Sequence, residues 1–419
     1  MTTQQRYVEP TGNSKAGFQK GDGFVYAKRF PTAWETFQKE EGLPVYVGVG
    51  CYDTRELPRA DWDRVGGKAT FIQLLGTNNA TGMFVVEVPS RGALNPQKHM
   101  YEERYIVLEG RGSVEVWKTG SSAKTAFEYQ QWSVFSVPVN ANFRITNTAS
   151  SPALLLGVNT APKVINMYQS KSFVFDNSFD FEDRFGGNLE DYWKPGEDFE
   201  PQPVRDRAMI TTNLIPDAAT TYLPLDNNRG PGHRWLAPNM VGNTVLQGWI
   251  AEYPSGRYAK AHHHSSGAVL VCMRGKGYSI TWPKESGINP WAADKGDTVR
   301  MQEYGPAGMI SAAPGPADWF HQHFACGAEP FRVFNYTGGV PGNEGAFGGL
   351  NSEDPGAGNE QIQTSLTDID KGGRAIPYYM EDPHIRTLFK EKLAENNAEF
   401  TMPEEVYTKE GSNIKVMTD

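Results

Sequence analysis

The feature that most constrains this chain is a pattern that occurs twice. Gln97-Lys98-His99-Met100-Tyr101-Glu102-Glu103, followed six residues on by Gly110-Arg111-Gly112, returns 165 residues later. The second copy reads His262-His263-His264-Ser265-Ser266-Gly267-Ala268, followed six residues on by Gly275-Lys276-Gly277. A second pair lies downstream: Pro138 to Phe143, nine residues before Pro152, matches Pro316 to His321, nine residues before Pro330. Here the offset is 178, so 13 extra residues separate the paired motifs in the second copy, and Pro283–Gly296 is the place for them. A repeat of this kind marks one structural unit built twice.

The rest of the sequence says what that unit is made of. At 419 residues the chain exceeds what one core usually serves, about 250–300 residues. Glycine (44) and proline (28) are frequent and aromatics reach 12%. Short apolar or alternating runs follow one another between turn residues, for example 69–75, 82–88, 104–108, 112–118 and 133–137, then 245–253, 268–273, 277–282, 308–313 and 331–336. That spacing predicts an all-β chain of sandwiches or barrels. The expected organisation is an N-terminal arm (1–44), a first barrel (45–175), a polar connecting segment (176–243), a second barrel (244–340) and a C-terminal tail (341–419). Within the connecting segment the acidic stretch 176–203 stands out. Residues 339–358 read as a Gly-rich loop. Pro383–Asn396 reads as a helix, with Ile385, Leu388, Phe389 and Leu393 at helical spacing and Asp382-Pro383 at its start.

A net charge of −9 and the absence of basic runs argue against a nucleic-acid partner, because phosphate binding needs a basic face. The polar N-terminus lacks a signal-peptide core, and no apolar run approaches the ~18 residues of a membrane span. Three scattered cysteines, Cys51, Cys272 and Cys326, do not make a disulfide framework. A cytoplasmic setting is the expectation.

Five of the eight histidines fall in two short clusters, His262–His264 and His321/His323. His262 and His264 are two apart, so on a strand they share a face, while His263 points away. His321 arrives from a later strand and can complete a set of three. Three neutral imidazoles suit Fe(II), Mn(II), Ni(II), Zn or Cu, and leave positions open for substrate. His323 shares the face of His321 and is the alternative third ligand. If His321 is the ligand, His323 becomes a proton-transfer or ligand-orienting residue. Trp249, Trp282 and Trp319 are candidates to line a substrate pocket, and Arg257, Arg274 and Arg332 to hold a substrate carboxylate.

The paired motifs resemble those of the cupin superfamily: His-x-His-x3-Glu-x6-Gly, then Pro-x-Gly-x2-His-x3-Asn. The resemblance covers two stretches in each half and implies two cupin barrels (double-stranded β-helix or jelly-roll) over about residues 45–340, with a C-terminal helix and extended arms. It implies four ligand positions per barrel. In the first copy these fall on Gln97, His99, Glu103 and Phe143, which predicts no tight metal site. In the second they fall on His262, His264, Ala268 and His321, with Asp318 and Ala325 at the motif's glycine and asparagine positions.

The missing carboxylate at Ala268 and the run Arg274–Ser279 resemble the three-histidine ring-cleaving dioxygenases of the gentisate and salicylate type. That resemblance implies an Fe(II) oxygenase acting on a small phenolic or oxygen-bearing acid that chelates the metal. Two other readings stand beside it: a non-redox lyase, isomerase or decarboxylase using Zn, Mn or Ni, and a non-enzymatic two-barrel binding protein. By analogy with cupins, a homodimer or higher oligomer is expected.

Overall fold

The structure is a computed structural model. It describes residues 31–77, 81–185, 189–194, 198–201, 207–243, 245–264, 268–315, 318–337 and 366–417, with two short strands at Gln19–Lys20 and Gly23–Phe24. The Gly-rich segment 339–358 lies outside the described residues.

The chain is all-β, and the two halves repeat one design. In the first, a large sheet carries Gly82–Val88, Ala153–Asn159, Glu103–Glu109 and Val134–Val137 side by side. A three-stranded sheet of Thr125–Tyr129, Gly112–Trp117 and Asn142–Asn147 faces it. In the second, Gln247–Tyr253, Phe331–Thr337, Val269–Arg274 and Met309–Ser311 are neighbours in the large sheet. The facing sheet orders His262–His264, Trp319–Ala325, Gly277–Pro283 and Arg300–Tyr304. The correspondence holds in register: Gln97 bridges Phe143 as His262 pairs with His321, which is what the two different offsets demand. Residues 284–298, where the insertion was expected, fold into two short 3-10 turns before the Arg300–Tyr304 strand.

Alternation along each strand sends one set of side chains into a barrel and the other outward. Inside the first barrel are Phe71, Phe84, Tyr105, Val114, Phe135, Phe143 and Leu155. Inside the second are Trp235, Ala251, Tyr253, Leu270, Cys272, Phe331 and Val333. The outward sets of the two large sheets meet each other in a third cluster that holds Ile72, Val85, Ile106, Leu156, Ile250, Val271 and Phe334. Strands also cross between the parts of the chain. Gly50–Cys51 pairs with Met309–Ile310, and Leu214–Ile215, from the connecting stretch, pairs with Val134–Phe135. Within that same stretch Ala208–Thr211 runs parallel to Arg234–Asn239 at the end of the second large sheet.

A fourth cluster covers the outer face of the second barrel's small sheet. Tyr278, Ile280, Trp282, Phe320 and Phe324 pack there against Ile385, Phe389 and Leu393 of the helix Pro383–Glu395. Asp382 caps this helix by accepting from the His384 N–H at 3.0 Å, and Pro383 occupies the first turn, where its missing N–H costs nothing. The segment before the helix extends the small sheet: His263 N donates to Arg374 O at 3.2 Å and Ile376 N to Ala261 O at 2.7 Å. Residues 31–44 hold a further helix, Ala33–Glu41, closed by a Thr32/Glu35 capping box. No helix among the described residues is long and apolar enough to cross a membrane.

Candidate metal centre

The strand His262–His264 lies antiparallel to Trp319–Ala325, with His262 opposite His321 and His264 opposite Trp319. Opposed residues share a face, so His262, His264, Trp319, His321 and His323 all turn one way. His263 turns the other way, stacking edge-on against Phe320 (4.9 Å) and meeting Asp318 Oδ2 at 2.9 Å. The ligand atoms of His262, His264 and His321 all lie within 4.8 Å of one another. His262 Nε2 and His321 Nε2 are 2.9 Å apart. Two nitrogens bound to one ion at about 2.1 Å and at right angles would be about 3.0 Å apart, so this pair already has the spacing of a chelating pair.

The protonation states agree. Burial, then the Arg229 guanidinium and the neighbouring imidazoles, hold His262 well below the usual histidine range. Burial followed by His264, His323 and Arg229 does the same to His321. Both rings are neutral at pH 7 and can offer lone pairs. His321 Nδ1 lies 3.3 Å from Trp319 O, which can only accept, so Nδ1 carries the hydrogen and Nε2 is the donor nitrogen. Ala268, where a fourth ligand would stand, is buried and offers none.

His323 sits beside His321, with ring centroids 5.6 Å apart. Its Nδ1 is bound to Ser279 Oγ at 2.7 Å, and Ser279 Oγ in turn meets Tyr304 OH at 2.8 Å. Burial, Arg229, His264 and His233 push the His323 pKa down to about 3. His323 lies outside the cluster of three whose ligand atoms converge.

The other nominated residues divide. Trp319 is half-buried on the histidine face, and Trp249 lies on the barrel-facing side of its strand, 6.3 Å from Trp235. Trp282 does not join them. Alternation turns it to the outer face, where it stacks on Phe320 (5.3 Å) and donates to Gly287 O at 2.9 Å. Arg332 is also outward, opposite Glu252, and its guanidinium is taken up by Glu252 Oε2 (2.7 Å), Ala218 O (3.2 Å) and Thr221 O (2.7 Å). Arg274 pairs with the same Glu252 at 3.3 Å. Arg257 donates to Pro231 O at 3.1 Å.

The arginine whose charge acts on His262, His321 and His323 together is Arg229, which the sequence reading did not nominate. It lies in Asn228-Arg229-Gly230-Pro231-Gly232-His233, a Gly/Pro turn inside the stretch taken as connecting segment. An Arg and a His in a turn with three structure-breaking neighbours was the available signal.

The equivalent place in the first barrel is filled by the protein itself. His99 Nε2 lies 3.2 Å from Glu103 Oε1, Asn159 donates to Glu103 Oε2 at 2.8 Å, and Tyr105 OH also reaches Oε1. Burial alone would raise the Glu103 pKa, but the His99 charge and these hydrogen bonds outweigh it and hold the carboxyl below its ordinary value. Phe143 stands where His321 stands in the other half, edge-on to His99 at 5.5 Å. Gln97 is turned to Asn95 O (2.9 Å) and Arg64 (3.3 Å).

No known family model matches the chain. No curated protein matches it either. Solved two-barrel structures do. Oxalate decarboxylase from Lactobacillus farciminis is 10% identical, over 69% of this chain and 86% of that one, with a TM-score of 0.42. Bacillus subtilis oxalate decarboxylase, described with Mn(II) centres, is 12% identical over 76% and 86%, at 0.43. Vicilin from hazelnut, Corylus avellana, is 12% identical over 70% and 86%, also at 0.43. These likenesses, to enzymes and to a vicilin alike, are too distant to carry an activity across, and gentisate-type dioxygenases are not among the similar structures named.

Proposed function

We propose that the second barrel is a mononuclear metal site held by His262, His264 and His321, and that the protein is an enzyme acting on a small organic acid anion. The observation that carries this reading is the 2.9 Å approach of two neutral, buried Nε2 atoms with a third imidazole beside them. Without an ion, the two nitrogens can share one hydrogen, His262 Nε2–H donating to the His321 Nε2 lone pair. With an ion, they are a ligand set.

The charge around the site argues for an anion. Among the groups that act most on His262, His321 and His323, the one charged at pH 7 is Arg229, and none is a carboxylate. A carboxylate ligand is absent at Ala268. A divalent ion bound there would supply Lewis-acid polarisation of a chelated carboxylate or hydroxyl oxygen. The chain's own residues do the rest. Arg229 neutralises and orients the anion, the tied-back His323 fixes the floor of the site, and Trp319 and Trp249 help exclude water.

Fe(II), Mn(II), Ni(II), Zn(II) and Cu(II) all accept three imidazoles. We favour the non-redox branch, a decarboxylase, lyase or isomerase, because the pocket's features answer anion binding and proton handling and none requires dioxygen. The test is turnover of small hydroxy-, oxo- and dicarboxylic acids by metal-loaded protein with and without air. Equal turnover in both supports the non-redox reading. Turnover that needs air and consumes oxygen would return the protein to the iron-oxygenase reading.

A further inference from the structure

Beyond the three histidines, the same barrel holds a second constellation that the metal site does not use. His233 is 2% exposed and its Nδ1 lies 3.0 Å from Asp226 Oδ1. Asp226 is gripped from the other side by Arg207, Nε to Oδ2 at 2.8 Å and Nη2 to Oδ1 at 2.9 Å. The Arg207 guanidinium in turn lies 3.9 Å above the Trp235 ring. The side chains of all three polar residues are more than nine-tenths buried.

The tautomer follows from these contacts. Burial opposes ionisation of Asp226, but the Arg207 charge and the His233 hydrogen bond outweigh it and hold the carboxyl far below its ordinary range. Asp226 is therefore an acceptor only, and the hydrogen between the two residues belongs to His233 Nδ1. The ring is neutral, because burial, helped by Arg207 and Arg229, outweighs the Asp226 carboxylate, which alone would raise its proton affinity. His233 Nε2 is left as a lone pair. It is buried and has no hydrogen-bond partner among the described residues.

His233 faces the interior of the second barrel. His233 continues the alternation of Trp235 and Ala237, which face the interior. Its ring packs on Tyr253 at 4.9 Å, Tyr253 packs on His323 at 6.1 Å, and His323 is 5.6 Å from His321. Arg229 acts on His233 as it does on His262, His321 and His323. Tyr253 thus stands between the carboxylate-oriented imidazole and the histidines of the metal set, and a carboxylate that fixes a histidine in this way prepares it for proton transfer.

We propose that His233, oriented by Asp226 and Arg207, is the group that takes a proton from the acidic ligand bound at the three-histidine centre and returns it to the product. The proposal rests on the metal-site reading above. In the forward step the ligand O–H bond breaks, its electron pair stays on the ligand oxygen, and a new N–H bond forms at His233 Nε2. The imidazolium is balanced by Asp226, and no oxidant or reductant takes part. An arriving anion offsets Arg229, which removes one of the charges that disfavour protonation of the ring.

Acetohydroxamate is a suitable probe, because it is a neutral acid near pH 7 and must lose its O–H proton to chelate a metal. Calorimetric titration of the full, zinc-loaded protein in two buffers of different ionisation heat counts the protons released to solvent. Wild type should release close to none, whereas His233→Asn, which keeps a donor towards Asp226, should release about one per ligand bound. Asp226→Asn, which keeps the ring and removes its orientation, should also release more than wild type, and serves if His233→Asn does not fold. Equal release from wild type and variants, with metal bound in all, overturns the role of His233 alone. Metal-loaded protein that fails to bind the hydroxamate overturns the shared pocket. Protein that holds no zinc at all overturns the metal-site reading and this one with it.

Discussion

Glu381 offers a quantitative test of how the C-terminal segment is fastened to the strand that carries His321 and His323. Its carboxyl accepts from Tyr258 OH and meets Gln322 Nε2 at 3.4 Å, and Tyr258 OH is also 2.9 Å from Tyr407 OH. Gln322 lies between the two histidines and faces outward, donating to Ala259 O at 2.9 Å as well. Burial, opposed only in part by the Tyr258 and Gln322 hydrogen bonds and by Arg386, raises the Glu381 pKa from 4.5 to about 8. A carboxyl with a raised folded pKa binds more protons folded than unfolded between those two values. Stability is therefore full below the unfolded value and is lost as pH climbs towards 8. At pH 7 the shift amounts to about 3 kcal/mol at most, and to about half that once the partial exposure of the residue is allowed for. Glu381→Gln keeps an acceptor for Tyr258 and removes the ionisation, so it should stabilise the protein by about 1.5–3 kcal/mol at pH 7. Its advantage should shrink towards pH 5 and grow towards pH 8.5. Denaturant midpoints of both proteins at pH 5, 7 and 8.5 measure this. Parallel wild-type and variant curves across that range would refute the reasoning.

Two further predictions concern the contrast between the barrels. Phe143→His recreates the missing histidine of the first barrel, yet metal content should stay unchanged, because His99 and Glu103 already satisfy each other and Gln97 is turned away; a second metal ion per chain by elemental analysis would contradict this. Arg229→Met should leave metal content intact and weaken binding of oxalate, taken as a small anionic probe, by about thirtyfold or more, from the ~2–5 kcal/mol cost of truncating one partner of a desolvated charge pair; unchanged affinity by calorimetry would exclude Arg229 as the anion-binding group.

The repeat was readable because barrel geometry fixes it. His262 can pair with His321, and Gln97 with Phe143, only if the spacing between strands is kept, so the offsets 165 and 178 survive where side-chain identity does not. The helix Pro383–Glu395 was readable from its cap and its apolar spacing. Which residues face the pocket was less legible. Trp282 and Arg332 sit near the motifs in sequence, but a one-residue step along a strand reverses the face, and nearness in sequence says nothing about that parity. Arg229, Asp226 and His233 were missed for another reason. They lie in and beside a turn with no periodicity, and only the return of Arg234–Asn239 to the large sheet brings them to the histidines.

The central claim is that one metal ion is held by His262, His264 and His321, and elemental analysis of the full-length protein beside His264→Ala tests it most directly. About one equivalent of a transition metal per chain, largely lost in the variant while the fold is kept, is the predicted result. Wild-type protein that binds no metal after incubation with Mn(II), Fe(II) or Zn(II), or a variant that binds as much as wild type, would contradict it.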